Sequence, residues 1–197
     1  SQSSESGFVP KLNLTYNIDD DKMVYATYSE GFRAGGGNAV RPTSLISRSY
    51  DSDVLNNMEI GAKTTWLDGR FRVNITAYHM TWDDIQMQVQ DPQPFVYAIG
   101  IANFPEAEID GFELDVSWLP MQNLEVDFTY ADIDAKLSNN SELFSDFDTP
   151  ITALEGSRLP ITPDMKASLG VQYTLQTELF GAEPYVRWDF SRVGDSV

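Results

Sequence analysis

The sequence predicts an all-β fold: an antiparallel up-and-down transmembrane β-barrel, with about eight strands in this chain. Three observations predict it. Apolar and polar residues alternate with a period of two along most of the chain, which places them on opposite faces of a strand. Short and long links alternate between these segments, as they do when tight turns lie at one rim and long loops at the other. Large aromatic residues cluster beside the short links, where a membrane interface would hold them.

The alternating segments are long for strands of a soluble sheet, which usually have about 5–6 residues. In the third segment, for example, Met58, Ile60 and Trp66 alternate with Glu59 and Lys63. In the fourth segment the odd-numbered positions are apolar at the start, and they are apolar again at the end, at Ile85, Met87 and Val89. We predict strands over residues 8–18, 22–32, 54–67, 70–90, 97–118, 123–137, 158–175 and 182–193.

The links between these segments fall into two classes. The short ones are 19–21, Asp68-Gly69, 120–122 and 176–181, and Asp68-Gly69 is typical of a hairpin turn that needs positive φ. The longer ones are 31–53, 91–97 and 138–156. In an up-and-down barrel the three longer links would lie together on the outer side.

The segment from Phe112 to Asp132 shows what the apolar face must contact. Its two halves form a hairpin with one apolar and one acidic face. The aromatic cluster beside the short links comprises Tyr16, Trp66, Phe71, Trp118, Tyr173 and Tyr185, and it favours lipid as the neighbour of the apolar face. A soluble antiparallel sandwich or barrel would show the same alternation strand by strand, and it remains the alternative.

The composition excludes several classes of function. The 197 residues carry 30 acidic and 13 basic side chains, a formal charge of −17 that is unsuited to nucleic-acid phosphates. An acidic, water-filled lumen would accommodate this charge. No cysteine is present, so the chain has no disulfide and no thiolate metal site. No apolar run reaches the roughly 18 residues of a membrane-spanning helix, whereas a barrel strand needs only about 9–11.

No group of residues suggests catalysis, and we predict that the protein is not an enzyme. His79 is the only histidine, so no imidazole cluster can form around a metal, and we expect neither a metal nor a cofactor. Asp19–Asp21 lacks the spacing of a calcium loop and is typical of a charged hairpin turn. Asp83 and Asp84 are neighbours in a strand, so their carboxylates would point to opposite faces.

One link is locally basic within this acidic chain. Arg33, Asn38, Arg41 and Arg48 lie in it, around the glycine run Gly35–Gly37. No Gly-Lys-Ser/Thr follows, so the run is not a phosphate-binding loop. Because guanidinium groups bind anions strongly, we predict these four residues as contacts for an anionic ligand such as a ferric chelate. Ordinary solvation of the loop is the alternative.

Several short motifs resemble those of TonB-dependent outer-membrane receptors, and they occur in that family's order. The stretch YATYSEGFRAGG at 25–36 resembles the strand and loop start of the family. The other matching stretches are 59–63 with 69–74, 82–86, 103–114 and 160–166. Each motif is unspecific alone, but together they cover most of the chain.

This resemblance implies a barrel of about 22 strands with a plugged lumen in the Gram-negative outer membrane. The strands found here are too few for that barrel. We therefore predict that residues 1–197 are a partial TonB-dependent receptor β-barrel domain, a piece of the barrel's second half, with short periplasmic turns and longer extracellular loops. A complete small barrel of about eight strands is the alternative.

The resemblance also implies a function: active import of a scarce nutrient, often an iron–siderophore complex. The implied partners are outer-membrane lipid, a small-molecule ligand such as a ferric siderophore, and the TonB complex acting through a plug. Ligand would bind the loops and the lumen wall, where the alternation places Glu59, Lys63, Glu113 and Asp115, with Glu125 and Asp127. Two rivals are a passive porin-like or small structural outer-membrane barrel and a soluble β-sandwich binding module.

Overall fold

The computed structural model describes residues 7–93, 98–143, 151–160, 162–177 and 181–196, and every regular element in these ranges is a β-strand. The all-β prediction is thus confirmed. The strands are β1 (Lys11–Asp19), β2 (Lys22–Arg33), β3 (Gly36–Gly37), β4 (Ser49–Tyr50), β5 (Asp53–Trp66), β6 (Phe71–Asp83), β7 (Gln86–Gln90), β8 (Ile99–Asn103), β9 (Glu106–Met121), β10 (Leu124–Leu137), β11 (Ser141–Leu143), β12 (Ile151–Ala153), β13 (Met165–Thr174) and β14 (Tyr185–Val193).

Eight of these strands form one large antiparallel sheet. Its order is β1-β2-β5-β6-β9-β10-β13-β14, so the long strands that are adjacent in the sheet follow one another along the chain. The six short strands pair separately as β3–β4, β7–β8 and β11–β12, and each pair lies between two consecutive long strands. This is the up-and-down arrangement that the alternating links predicted, and β1 and β14 are the edges of the sheet within the described residues.

The register sorts the side chains of the large sheet onto two faces, because directly paired residues share a face. We call one side the apolar face; a row across it reads Ile75, Leu114, Tyr130, Ala167. We call the other side the polar face; a row across it reads Lys63, Asn74, Asp115, Thr129, Ser168. The two faces are those that the period-two pattern predicted.

The apolar face is uncovered. The long strands make their extensive contacts with their neighbours in the sheet, and no second layer lies over this face in the described part of the chain. Met58 and Ile60 are 60% and 64% exposed, and Trp118 and Phe190 are exposed as well. A soluble sheet would bury such a face, so its exposure argues against the soluble sandwich.

Aromatic residues line the turn end of the apolar face. Trp66 pairs with Phe71, and Phe71 in turn pairs with Trp118, whose ring meets it edge-on at 6.4 Å between centroids. Tyr16 and Tyr173 share this face through their apolar partners. Tyr185 does not belong to the row. It pairs with Thr174 on the polar face, because the even-numbered residues of β14 are the ones that lie on the apolar face. Trp188 supplies an aromatic ring to the apolar face instead.

The short links are tight turns, as predicted. After β5 the chain reverses through Leu67, Asp68 and Gly69, all with positive φ (56°, 55° and 85°). Glycine adopts such angles without steric cost, which explains the Asp-Gly pair at this turn. After β1, the Asp19 carboxylate accepts a hydrogen bond from the Asp21 amide at 2.9 Å. It also forms an ion pair with Lys22, at the same distance.

Two predicted strands are divided where the sheet ends, so the prediction of unbroken strands over 70–90 and 97–118 was wrong. Asp84 is left-handed (φ 53°) and donates its backbone N–H to the carbonyl of Pro105 at 2.7 Å. Beyond this pinch, β7 and β8 form their own hairpin. The predicted strand over 158–175 is also too long, because β13 begins only at Met165.

A hydrophobic core lies beyond the pinch, at the loop end of the polar face. Its buried residues come from the link after β2, from the β7–β8 hairpin, from β9 and β10, and from the link before β13: Ile46, Ile85, Val89, Phe104, Ala107, Ala135, Leu137 and Leu159. We call residues 34–52 with 84–93 and 98–105 the loop cap; residues 94–97 lie outside the described residues and are not part of it. Ile85 and Val89 therefore fill the core of the cap and do not continue the apolar face of β6.

The remaining long link, 138–156, contains β11 and β12, and its residues 144–150 lie outside the described ranges. Among the described residues, no helix has the length and apolar character to cross a membrane.

Candidate functional site

The polar face carries one group of the predicted ligand residues side by side. Lys63 and Asp115 flank Asn74 in one row, and Asn74 Nδ2 donates to Asp115 Oδ1 at 3.1 Å. Glu59 and Glu113 lie on the same face. Glu59 and Lys63 of β5 and Glu113 and Asp115 of β9 therefore lie on one face, on the two strands that flank β6. Glu125 and Asp127 of β10 share their face.

Two tyrosines lie flat against glycines on this wall. The Tyr25 ring crosses Gly61 of the next strand, and its hydroxyl reaches Thr76 Oγ1 on the strand after that, at 3.0 Å. The Tyr78 ring covers Gly111 of β9 in the same manner. A β-carbon on either glycine would lie within 2.5 Å of the ring atoms, so only glycine leaves room for these rings.

The loop cap is anchored by an ion pair between a buried carboxylate and a half-exposed guanidinium. Arg33, the last residue of β2, directs its guanidinium at the carboxylate of Asp53, the first residue of β5, with Nε 3.0 Å from Oδ2. The same guanidinium lies 4.8 Å from the centre of the Trp82 ring. Asp53 is 1% exposed, and its carboxylate also accepts the backbone N–H of Gln86 at 3.0 Å. The pair thus joins the ends of three strands.

The surroundings of Asp53 hold it in its charged form. Burial acts to raise its pKa, but the hydrogen bonds from Arg33 and from the Gln86 amide outweigh burial. The pKa of Asp53 consequently lies below its ordinary value. A charged Asp53 costs little here because each oxygen is paired.

Side-chain amides tie the two halves of the cap together. Asn38 donates to the carbonyl of Ile101 and accepts the N–H of the same residue, both at 2.8 Å. Asn103 makes the same two-way connection with the backbone of Asp51, at 3.0 and 2.8 Å. Gln86 Nε2 donates to the carbonyl of Asp51 at 3.0 Å.

A second buried carboxylate organises the tip of the basic link. Asp91, 3% exposed, accepts the Ser44 hydroxyl at 2.6 Å and the backbone N–H of Leu45 at 2.8 Å. Burial acts to raise the pKa of Asp91, but these hydrogen bonds hold it below its ordinary value. The turn before Ile46 is thereby fixed, and Ile46 enters the core.

The structure divides the predicted loop residues by role. Arg33 and Asn38 are occupied by the cap's own contacts, with Asp53 and with Ile101. Arg41 and Arg48 are exposed and have no ion pair within the described residues, so their charges are available to solvent or a ligand. Asp53, Gln86, Asp91 and Asn103 carry the cap, and sequence reasoning missed them because nothing local distinguishes them from other polar loop residues.

The chemistry of these groups suits the binding of polar and charged ligands. In the described ranges no cluster of three or more His, Asp or Glu side chains is arranged to hold a metal ion. The polar face offers carboxylates and a lysine to polar ligands, and the cap offers guanidinium groups to anions.

One known protein family matches the whole of this chain. The family described as TonB dependent receptor-like, beta-barrel, matches residues 1–197. The metal-pseudopaline receptor CntO of Pseudomonas aeruginosa is 25% identical over 199 residues, covering 100% of this chain and 25% of the relative. The pesticin receptor of Yersinia pestis is 24% identical over 181 residues, covering 92% of this chain and 24% of the relative. The chain thus spans about a quarter of the length of these relatives.

Solved structures share the fold. BauA, the ferric preacinetobactin receptor of Acinetobacter baumannii, superposes with a TM-score of 0.66 at 18% identity, over 94% of this chain and 25% of that one. FyuA, the ferric yersiniabactin uptake receptor of Yersinia pestis, does so with a TM-score of 0.65 at 20% identity, over 85% and 23%. These matched proteins are receptors and not enzymes, in agreement with the prediction from the sequence.

Proposed function

Because the chain belongs to the TonB-dependent receptor β-barrel family, we propose that residues 1–197 form part of the barrel wall of an outer-membrane receptor that imports a scarce nutrient, most readily an iron–siderophore complex. The observation that carries the proposal is the large up-and-down sheet with one uncovered apolar face and a folded cap at one end. A wall between lipid and a wet lumen has these features.

The dimensions of the apolar face support its place in a membrane. On β6 its apolar stretch runs from Phe71 to Ala77, and His79 follows at the loop end. The distance along the strand from Phe71 to His79 is about 27 Å, which becomes roughly 20 Å across the membrane if the strand is tilted by about 40°. The apolar band of such barrels is about 25 Å tall. Trp66 and Trp118 would then lie at the periplasmic interface, and the loop cap would face outside.

The substrate class is proposed from the charges that the wall and cap present. Arg41 and Arg48 on the cap would meet an anionic chelate first, with Arg33 and Asn38 fixing the loop that carries them. Glu59, Lys63, Glu113 and Asp115 would line the path below. The relatives named for metal–pseudopaline, ferric yersiniabactin and ferric preacinetobactin support a metal chelate as the cargo.

Energy would come from the TonB complex of the inner membrane, acting through a plug in the receptor's lumen. The test is uptake of ⁵⁵Fe bound to a panel of siderophores by cells whose own ferric receptors are deleted and which express the full-length receptor. We expect uptake with at least one siderophore, lost on deletion of tonB. Uptake that persists without tonB would indicate the passive porin instead.

Variants of the exposed arginines test the site. Arg41→Ala with Arg48→Ala should weaken binding of an anionic ferric chelate by about 10- to 100-fold, as expected for the loss of two charge-assisted contacts. The matched control is Arg70→Ala, at the opposite end of the sheet, which should leave uptake unchanged. Equal uptake by both variants would remove the cap arginines from the site.

A further inference from the structure

Three chain segments enter the loop cap at one point. Asp53 starts the strand after the basic link, Arg33 ends the strand before it, and Gln86 starts the β7–β8 hairpin. The Asp53 carboxylate binds Arg33 through both the side chain and, at 3.3 Å, the backbone N–H. It binds Gln86 through the backbone N–H at 3.0 Å. One buried carboxylate therefore fixes both loops at the points where they leave the large sheet. We call these points the roots of the loops.

Gln86 extends this connection to the far root of the basic link. Its side-chain Nε2 lies 3.1 Å from the carbonyl of Ala34 and 3.0 Å from that of Asp51. Ala34 and Asp51 are at the two ends of the link. Since Asp53 places Gln86, the loss of Asp53 would loosen the beginning and the end of the link together.

The two loops are also joined away from their roots. Asn38 bonds Ile101 in both directions, and Ile46 lies against Gly100, where an added β-carbon would be 2.7 Å from Ile46 Cγ2. Neither loop can move far without breaking contacts with the other. Together they cover Ala107, Ala135 and Leu137 on the wall, and Ala107 is fully buried beneath them.

We propose that the loop cap is a single lid over this apolar patch of the wall, and that Asp53 is the positioning residue that holds both loops closed. Neutralising Asp53 leaves the Arg33 charge without its partner and releases Gln86. Both loops then open as one unit, although Asp53 belongs to the root of only one of them. The proposal depends on the fold and requires no transported ligand, so its failure would be distinct from failure of the transport function.

Hydrogen exchange of the purified full-length receptor tests the single unit. In Asp53→Asn we expect exchange to accelerate by about 10- to 100-fold both in 34–52 and in 84–93 with 98–105, as for the loss of the buried partner of an ion pair, with β10 unchanged. The matched control is Asp51→Asn, whose side chain is exposed, and it should leave exchange as in the wild type. Acceleration in one loop only, in neither, or throughout β10 would overturn the proposal.

Two further variants separate the role of the charge from a general folding defect. Asp53→Glu keeps the charge and should recover part of the protection in both loops. Gln86→Ala keeps the ion pair but removes the root contacts, and it should release the same two loops to a smaller degree. If Gln86→Ala leaves both loops protected, Asp53 does not act through Gln86.

Access to the covered patch gives an independent measure. The chain has no cysteine, so Ala107→Cys introduces one thiol into these 197 residues. A membrane-impermeant maleimide should label it at least about 10-fold faster when Asp53→Asn is added, because the lid no longer shields it. Asn139→Cys on the exposed neighbouring link should label equally in both backgrounds. Equal labelling of Ala107→Cys in both backgrounds would contradict a lid.

Discussion

At the scale of single residues, Gly111 and the ring of Tyr78 make the closest fit on the polar face. A β-carbon at Gly111 would lie 2.0 Å from the ring. We expect Gly111→Val to lower the free energy of unfolding by about 1–3 kcal/mol, because the ring must leave its position. Urea unfolding of the full-length receptor in lipid measures the change.

A second glycine of the sheet offers a control for this prediction, and Tyr78 itself offers a rescue. A β-carbon at Gly31 of β2 would meet nothing within 4 Å, so Gly31→Ala should be nearly neutral. Replacing Tyr78 by Ala in the Gly111→Val background should recover part of the lost stability. Equal losses for both glycines would show that the backbone, not the ring, sets the cost.

The Arg33–Asp53 pair also predicts how the cap responds to acid. The pKa of folded Asp53 is lowered from 3.8, so its stabilising contribution is complete above that ordinary value and is lost as pH falls through the folded pKa. Protection of 34–52, 84–93 and 98–105 should therefore stay constant from about pH 7 to about pH 5, and fall only below about pH 4. Hydrogen exchange, expressed relative to the intrinsic rate at each pH, measures it. Asp53→Asn should exchange readily at every pH, and acid sensitivity beginning near pH 6 would point to another group.

At the scale of a strand, β9 separates the two environments residue by residue. Val116 lies on the apolar face, two residues from Trp118, and pairs with Val73 and Phe128. Ser117 lies on the polar face, where its hydroxyl donates to Asp127 at 3.0 Å. Because Val116 lies between the interface and the midplane, we expect Val116→Lys to lower the free energy of unfolding in lipid by about 1.5–3 kcal/mol.

The adjacent substitution is the control, since it adds the same charge one residue away. Ser117→Lys would place the ammonium group beside Asp127 in the wet lumen, and its effect should stay below about 1 kcal/mol. Chemical unfolding of both variants in the same vesicles compares them. Similar losses would mean that the two faces meet the same surroundings.

The long strands could be predicted from the sequence and the cap could not, for a physical reason. Alternation is a local property, so the bounds of β2, β5 and β10 match the prediction within a residue or so. The division of the longer segments depends on Asp84 and Pro105, which are far apart in sequence and meet only after folding. A period of two runs through this pinch unchanged, so no local pattern marks it.

The candidate site shows the same limit. The prediction placed Glu59, Lys63, Glu113 and Asp115 on one face because parity alone decides that. It offered Arg33 and Asn38 for a ligand, but their partners, Asp53 and Ile101, are 20 and 63 residues away. Pairing over such separations leaves no trace in local composition. Arg41 and Arg48 remain predicted ligand contacts.

At the scale of the whole molecule, the four tryptophans report how the sheet sits in the membrane. Trp66, Trp118 and Trp188 lie on the apolar face, whereas Trp82, near the end of β6, lies on the polar face against the Arg33 guanidinium. In vesicles of brominated lipid we expect Trp118→Phe to reduce the quenchable part of the fluorescence, because its ring is lost from the interface.

Trp82→Phe is the matched comparison. It should lower the total emission but leave the quenchable part as in the wild type. If Trp82→Phe reduced the quenchable part and Trp118→Phe did not, the two faces would have to be exchanged between lipid and water.

The strict alternation of the faces along β5, β9 and β10 also limits how such a wall can evolve. Deleting one residue within a strand would turn every later side chain of that strand toward the wrong solvent, while deleting two would only shorten the wall. Changes in strand length should therefore survive in even steps. The links beyond the pinch at Asp84 and Pro105 have no such parity, so variation by single residues should accumulate there, at the end of the sheet that we propose faces outside.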